Sequence, residues 1–140
     1  MVNYNSLHYL IMANQMLIQR SLMDKIKETG LTIGQPKILD YLKDHDGSTQ
    51  KEIAAACFLE AGSLTVILNG MEEKGLITRT TLNGNRRSYH IFMTEEGRKK
   101  QRLISQAFSD IESKATADIP DDDMKLFMSV YQKIYDNLKK

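Results

Sequence analysis

The sequence contains no tryptophan, only two prolines and a single cysteine among its 140 residues. The lone thiol, Cys57, permits no internal disulfide, and it forms no metal-ligand spacing with the three scattered histidines. The opening segment, residues 1–23, lacks both an uninterrupted apolar run of about 20 residues and a basic start with a cleavage site. We therefore expect a cytoplasmic protein with no membrane span, no structural metal and no cofactor.

What is present is typical of a folded domain. Hydrophobic residues make up 41% of the chain and charged residues 26%, which excludes a disordered or fibrous protein. The length suits a single domain with one hydrophobic core.

Positive charge is concentrated in one stretch of the chain, although the net charge is only +1. Residues 79–102 hold two acidic side chains, Glu95 and Glu96, against seven basic ones: Arg79, Arg86, Arg87, Arg98, Lys99, Lys100 and Arg102. Such a cluster is typical of a surface that binds a polyanion, and a solvated charged face is the alternative.

Two helices are predicted before residue 48. Apolar residues at near-helical spacing predict the first from Tyr4 to about Glu28, and its apolar surface extends over more than one side, which indicates a partner chain. A second helix is predicted within Leu31–Asp46. Thr32 and Gln35 have capping-box spacing, and the proline that follows favours a start near Gln35.

The next two predicted helices are short and closely spaced. Thr49 and Glu52 form a capping box before the run Ile53–Cys57, and a second helix is predicted over Ser63–Lys74, with Gly75 just past its end. Two short helices joined by small residues are typical of a helix-turn-helix.

A β-hairpin is predicted directly after this motif. The segments Ile77–Leu82 and Ser88–Met93 have strand composition, and Asn83-Gly84 is a strong hairpin-turn signal. Because arginines follow the turn, the hairpin resembles a wing suited to the minor groove.

Two long helices are predicted to complete the chain. Thr94 is the expected N-cap of a helix that runs from Glu95 to about Asp118, and three aspartates at 121–123 favour the start of the last helix. Apolar residues of that last helix recur at alternating spacings of three and four, which indicates a seam for another helix: Met124, Phe127, Tyr131, Ile134 and Leu138.

The order of these elements, with the stretches GLTIGQPKILDYL, QKEIAAAC, SLTVILNGMEEKGLITR and NRRSYHIFMTEEG, resembles the MarR (multiple antibiotic resistance regulator) family of bacterial transcription factors. The resemblance implies a mostly α fold, a winged helix-turn-helix with a two-stranded β wing and long N- and C-terminal dimerisation helices. It implies one domain over residues 1–140, with a DNA-binding lobe at about 31–102 and dimerisation helices at about 1–30 and 103–140.

The resemblance also implies which residues contact double-stranded DNA. A helix starting near Glu60 enters the major groove, where Asn69 reads adenine and Thr65 a thymine methyl group. The family's wing-tip pattern Asp-x-Arg falls on Asn85 and Arg87, and the neutral amide supports the arginine less well than a carboxylate does. The full expected set of DNA-binding residues is Lys51, Ser63, Thr65, Val66, Asn69, Arg79, Asn85, Arg86 and Arg87.

Dimerisation and ligand binding are implied in the same way. The homodimer is expected to form through the C-terminal seam and, on the first helix, through Leu7, Leu10 and Ile11. Met12 and Met16 are expected to shape a pocket for a small aromatic effector, with core packing as the alternative. Cys57 is expected to be a buried core residue with an unreactive thiol.

Three functions are compared. The first is a homodimeric repressor that binds a pseudo-palindromic operator and is released by a small ligand. The alternative is a winged-helix module that contacts proteins without binding DNA specifically. The scarcity of basic residues on the reading helix, the helix that starts near Glu60, favours this alternative. We find no nucleophile beside a base, no phosphate loop and no metal cluster in the sequence, so we expect no enzymatic activity.

Overall fold

The computed structural model describes residues 6–82 and 88–140. Its elements fall into two compact units, residues 1–108 and 109–140, and α5 belongs partly to each. In chain order the elements are α1 (Leu7–Lys25), α2 (Gln35–His45), β1 (Ser48–Thr49), α3 (Gln50–Ala56), α4 (Ala61–Glu73), β2 (Ile77–Thr81), β3 (Tyr89–Met93), α5 (Glu95–Ala115) and α6 (Asp121–Lys139).

The first helix is shorter than predicted. The Ser6 hydroxyl caps α1 by accepting a hydrogen bond from the Tyr9 N–H at 3.4 Å. After Lys25 the chain tightens into a 3-10 turn over Lys27–Thr29, which ends at Gly30 in the left-handed conformation. The helical segment therefore ends at Gly30, close to the predicted end near Glu28, and the last turn before it is 3-10 rather than α.

The start of α2 confirms one prediction and corrects another. The helix begins at Gln35, as its proline suggested, but its N-cap is Gly34 rather than Thr32. Gly34 has φ +96°, a conformation that favours glycine. Only half of the predicted capping box forms. The Thr32 N–H donates to the Gln35 side-chain oxygen at 3.0 Å, but the Thr32 hydroxyl accepts no hydrogen bond from a backbone N–H of α2.

The predicted helix-turn-helix is present as α3 and α4. At its start the Thr49 N–H donates to Glu52 Oε1 at 3.1 Å, and the Glu52 N–H donates to Thr49 Oγ1 at 3.2 Å. This confirms the capping box, which satisfies two backbone donors at the beginning of a helix of only seven residues.

The sheet has three antiparallel strands in the order β1-β3-β2. The two predicted strands pair from Ile77 opposite Met93 to Thr81 opposite Tyr89. The third strand, β1, is only two residues long and pairs Ser48 with Ile91. Sequence analysis missed it because two residues carry no strand pattern.

The hydrophobic core of the first unit is closed within the chain. On α4 the side chains of Leu64 and Leu68 are buried, and Ile67 is half-buried. The side chains that are almost fully buried are Ile38, Leu39, Leu42, Ile53, Leu64, Leu68, Met71, Leu76, Ile77, Ile91 and Ile104. This core fixes the orientation of α4 and therefore decides which of its side chains face solvent.

The junction between the sheet and α5 is tightly packed. Thr94 caps α5 as predicted, because its hydroxyl accepts a hydrogen bond from the Gly97 N–H at 3.0 Å. Gly97 lies so close to β2 that a Cβ at this position would come within 2.1 Å of the Leu76 carbonyl oxygen. A side chain at position 97 would therefore push α5 away from the start of β2.

The second unit consists of the end of α5, a short connection and α6. Asp118 adopts a left-handed conformation, with φ +63°, and Pro120 precedes the first residue of α6. None of the 19 residues of α6 is buried, and the rings of Phe127 and Tyr131 contact each other at a centroid distance of 5.1 Å.

In the described part of the chain, no single helix has the length and apolar composition needed to cross a membrane. Only α3 and α4 taken together pass that test, and they meet at a bend of 111°.

Candidate nucleic-acid interface

The solvent face of α4 carries the side chains predicted to contact DNA. Ser63, Thr65, Val66 and Asn69 are all exposed, and Val66 is 71% exposed. The Thr65 hydroxyl donates to the Ala61 carbonyl at 3.0 Å. Because this bond uses the hydroxyl proton within the helix, the methyl group and the oxygen lone pairs are what Thr65 offers to a ligand.

Two predicted contact residues, Asn69 and Arg79, are joined to each other. Arg79 Nη2 on β2 donates to Asn69 Oδ1 on α4 at 2.6 Å. Arg79 Nε lies 3.9 Å from Glu72 Oε2, and the Arg79 side chain is only 17% exposed. Sequence analysis missed this link, because nothing in the spacing of the two residues indicates that a strand and a helix bring them together.

Lys51 lies exposed on the first turn of α3, beside the capping box. The backbone N–H and the hydroxyl of Thr49 both donate to the carboxylate of Glu52, and these hydrogen bonds lower the pKa of Glu52. Glu52 therefore stays charged next to Lys51, which reduces the net positive charge of this end of α3.

The wing is described as far as the last pair of its strands, Thr81 opposite Tyr89. The predicted turn at Asn83-Gly84 and the predicted contacts of Asn85, Arg86 and Arg87 lie outside the described residues. These three contacts stay predictions.

The basic residues at the start of α5 are partly neutralised. Arg98 Nη2 lies 3.0 Å from Asp46 Oδ2, and the other oxygen of this carboxylate accepts a hydrogen bond from the Met93 N–H at 2.8 Å. Arg102 lies 4.0 Å from Glu95. The net charge counted over residues 79–102 is therefore larger than the positive charge available to a ligand, because that count leaves out Asp46, which pairs with Arg98.

The connection between α3 and α4 contains two contrasting residues. Cys57 is buried, and desolvation raises the pKa of its thiol, which agrees with the predicted unreactive core residue. Phe58 is 76% exposed and adopts a left-handed conformation, with φ +54°. Sequence analysis did not single out Phe58; the only signal was a large aromatic residue within a turn.

The residues predicted for dimerisation and ligand binding are mostly exposed in the single chain. On α1 the side chains of Leu7, Leu10, Met12 and Met16 are exposed, and Ile11 is half-buried. On α6 the side chains of Phe127, Tyr131 and Leu138 are exposed, whereas Met124 and Ile134 are half-buried. Within residues 6–82 and 88–140, no group of three His, Cys, Asp or Glu residues is arranged to hold a metal ion.

A helix-turn-helix closed by an antiparallel hairpin, with the outer face of its second helix open to solvent, defines a winged-helix protein. Residues 29–88 match the model of the MarR family. Sequence relatives and solved structures agree with that match, and the chain is similar to the winged-helix transcriptional regulators of the MarR family. The resemblance predicted from the sequence is therefore confirmed.

One curated relative is the organic hydroperoxide resistance transcriptional regulator of Bacillus subtilis, which is 31% identical over 93 residues, or 66% of this chain and 63% of the relative. The chain spans just under two thirds of the length of the relatives it matches. It covers 63% of the Bacillus subtilis regulator and 66% of SarZ from Staphylococcus epidermidis.

Two solved structures share the fold along almost the whole chain. The DNA complex of MepR from S. aureus has a TM-score of 0.85 at 22% identity and covers 98% of this chain and 99% of MepR. CouR from Rhodococcus jostii RHA1, bound to p-coumaroyl-CoA, has a TM-score of 0.80 at 21% identity and covers 93% of this chain and 91% of CouR. At these identities the similarity establishes the fold alone.

Proposed function

We propose that the protein is a transcriptional repressor that binds double-stranded DNA through its winged helix. The observation that carries the proposal is the exposed face of α4, on which Ser63, Thr65, Val66 and Asn69 face solvent. The opposite face of the helix is buried in the hydrophobic core. A helix presented in this way fits the major groove, where polar groups and methyl groups read base edges. The similarity of the fold to MepR, whose structure contains DNA, supports DNA binding by this fold.

The proposed active form is a homodimer. Helices α1 and α6 expose more large apolar side chains than a soluble monomer usually does. Packing these side chains against a second copy of the chain would remove them from water. A two-fold dimer places two α4 helices about one helical turn of DNA apart, so the expected operator is pseudo-palindromic. Because such a regulator acts where the chromosome lies, we expect it in the cytoplasm and expect no catalytic activity.

Release by a small aromatic effector is part of the same proposal. CouR was crystallised with p-coumaroyl-CoA, an aromatic thioester. In this chain Met12 and Met16 lie exposed on α1, and their flexible thioether side chains suit an aromatic ligand. We propose that these two methionines contribute to the effector site.

The second candidate function is a winged helix that binds another protein. The observation that favours it is that, among the described residues, Arg98, Arg102 and Arg79 each lie within 4.0 Å of a carboxylate, which reduces the positive charge that they can offer to DNA. DNA binding without free cations is weak, since neutralising phosphates supplies much of the affinity.

The deciding experiment measures DNA binding by fluorescence anisotropy. The duplexes are one from upstream of the protein's own gene, one selected from a random pool and one scrambled, each titrated at several salt concentrations. Repression of an operator predicts sequence-preferring binding, a steep loss of affinity with salt, and at least tenfold weaker binding by Arg87→Ala. The matched control is Lys125→Ala, which removes one positive charge from α6 and is expected to bind like wild type.

Equal and weak binding to all three duplexes, with no effect of salt or of Arg87→Ala, would contradict the repressor and favour the protein-binding module. Release of a bound duplex by hydroxycinnamate esters or thioesters, weakened in Met16→Ala, tests the effector. Unchanged anisotropy on adding these compounds would remove that part of the proposal.

A further inference from the structure

We propose that Arg79 is a positioning residue that turns the side-chain amide of Asn69 so that only its N–H donor faces a bound base pair. The reading helix would then select a base with acceptor atoms at this position, guanine above all, instead of the adenine that an unrestrained asparagine selects. This inference rests on the proposed DNA binding by α4.

The orientation of the amide follows from hydrogen-bonding chemistry. A guanidinium has donors and no acceptor, so the group that Asn69 turns toward Arg79 must be its oxygen. The 2.6 Å distance between Nη2 and Oδ1 is that of a short hydrogen bond to a charged donor. Among the described residues, no acceptor is recorded for Asn69 Nδ2, and the side chain is exposed. The N–H₂ group is therefore the part of the amide that remains for a ligand.

Arg79 itself is held away from DNA. Its backbone pairs with Ile91 in the centre of the hairpin, and its side chain is 17% exposed. Nε is buried, has no hydrogen-bond partner among the described residues, and lies 3.9 Å from Glu72 Oε2, so the attraction there is ionic. A guanidinium enclosed between a carboxylate and an amide is not free to neutralise a phosphate, which assigns it a different role from Lys51 or Arg87.

The consequence for base recognition follows from the major-groove code. Reading adenine requires an amide that accepts from N6–H₂ and donates to N7 at the same time. With Oδ1 directed at Arg79, only the donation is left. Guanine presents two neighbouring acceptors, O6 and N7, whereas cytosine presents a donor. We therefore expect guanine to be preferred and cytosine to be disfavoured at the base pair beneath Asn69.

One isosteric substitution reverses the chemistry. In Asn69→Asp one carboxylate oxygen keeps the bond to Arg79, and the other replaces the donor with an acceptor. The preference at that base pair should then change from guanine to cytosine, whose N4–H₂ donates. Removing the guanidinium in Arg79→Gln or Arg79→Met should release the amide and let adenine compete. Glu72→Gln is the matched control, because it alters the neighbouring charge and leaves the Arg79–Asn69 bond in place.

The experiment selects duplexes from a randomised pool with the full-length wild type and each variant, sequences them, and measures anisotropy on the four duplexes that differ at the identified base pair. Thermal melts check that each variant is folded. Two different substitutions of Arg79 are made so that the test still stands if one of them does not fold. We expect about tenfold discrimination for guanine over cytosine in wild type, its reversal in Asn69→Asp and its loss in both Arg79 variants. The salt dependence should be the same in wild type and Arg79→Gln, since no phosphate contact is removed.

Other results would overturn the inference. Selection of adenine by wild type, unchanged in Arg79→Gln, would show that the amide is unrestrained. A salt slope lower by about one in Arg79→Gln would show that Arg79 contacts a phosphate directly. In both cases wild type still binds DNA, so the proposed function survives. If wild type binds no duplex at any salt concentration, the repressor and this inference both fail.

Discussion

Helices α2 and α6 differ in where their apolar faces lie, although both are amphipathic in sequence. In α2 the apolar residues Ile38, Leu39 and Leu42 are fully buried within the first unit. In α6, which is longer, no residue is buried, and Phe127 and Leu138 are exposed. An apolar stripe thus predicts that a face will be covered, but it does not reveal whether the same chain or another one covers it.

The difference separates two sources of stability. The core around α2, α3 and α4 is closed within one chain, so the stability lost by a substitution in this core should be the same at every protein concentration. The apolar face of α6 gains its stabilisation by leaving water, and in the proposed homodimer that gain depends on a second chain.

The largest effect is expected from Leu42→Ala on α2. This side chain is fully buried, so its truncation leaves a cavity and should lower the free energy of unfolding by about 2–5 kcal/mol. Urea denaturation followed by circular dichroism checks it at two protein concentrations, with the half-exposed Leu82→Ala as control. A loss that disappears at the higher concentration would show that this core is not self-contained.

The next effect is expected from Phe127→Asp on α6. A charge in the middle of the proposed seam should weaken dimerisation by roughly 30-fold or more, because a buried aromatic anchor is replaced by an unpaired carboxylate. Sedimentation velocity over a dilution series measures the dissociation constant. Ser129→Asp adds the same charge on the opposite face of α6 and should leave the dimer intact, and equal weakening by both variants would argue against the seam.

The smallest effect is expected at the capping box of α3. Hydrogen bonds from Thr49 lower the pKa of Glu52 in the folded protein, so the charged form stabilises folding above the ordinary pKa near 4.5. That contribution should be lost as the pH falls through the lowered pKa. Thermal melts of wild type and Glu52→Gln should therefore differ at pH 7 and converge toward pH 3, at every protein concentration. A constant difference across this range would contradict the pKa assignment.

Much of the fold was predictable because its signals are local. The capping box of Thr49 and Glu52, the strands on either side of the hairpin and the N-cap at Thr94 each depend on residues within a few positions of one another. The same locality explains the error at α2. Thr32 and Gln35 have the right spacing for a capping box, but the left-handed Gly34 takes the N-cap position, and spacing does not reveal backbone conformation.

The candidate site was less predictable because its geometry depends on distant residues. The outward residues of α4 were implied by the family resemblance, and the structure places them on the solvent face. The bond between Asn69 and Arg79 and the ion pair between Arg98 and Asp46 join different elements, the second across 52 positions. Sequence alone therefore identified the cations and could not indicate which of them are already paired.

Gly97 restricts which residues can stand at the junction between the sheet and α5. Because a Cβ at position 97 would come within 2.1 Å of the Leu76 carbonyl oxygen, a larger residue there requires the start of β2 or the start of α5 to move. Gly62, at the beginning of α4, meets nothing within 4 Å of an added Cβ and is under no such restriction. A side chain at position 62 would therefore leave the first turn of α4 in place, whereas one at position 97 would displace the packing that supports β2.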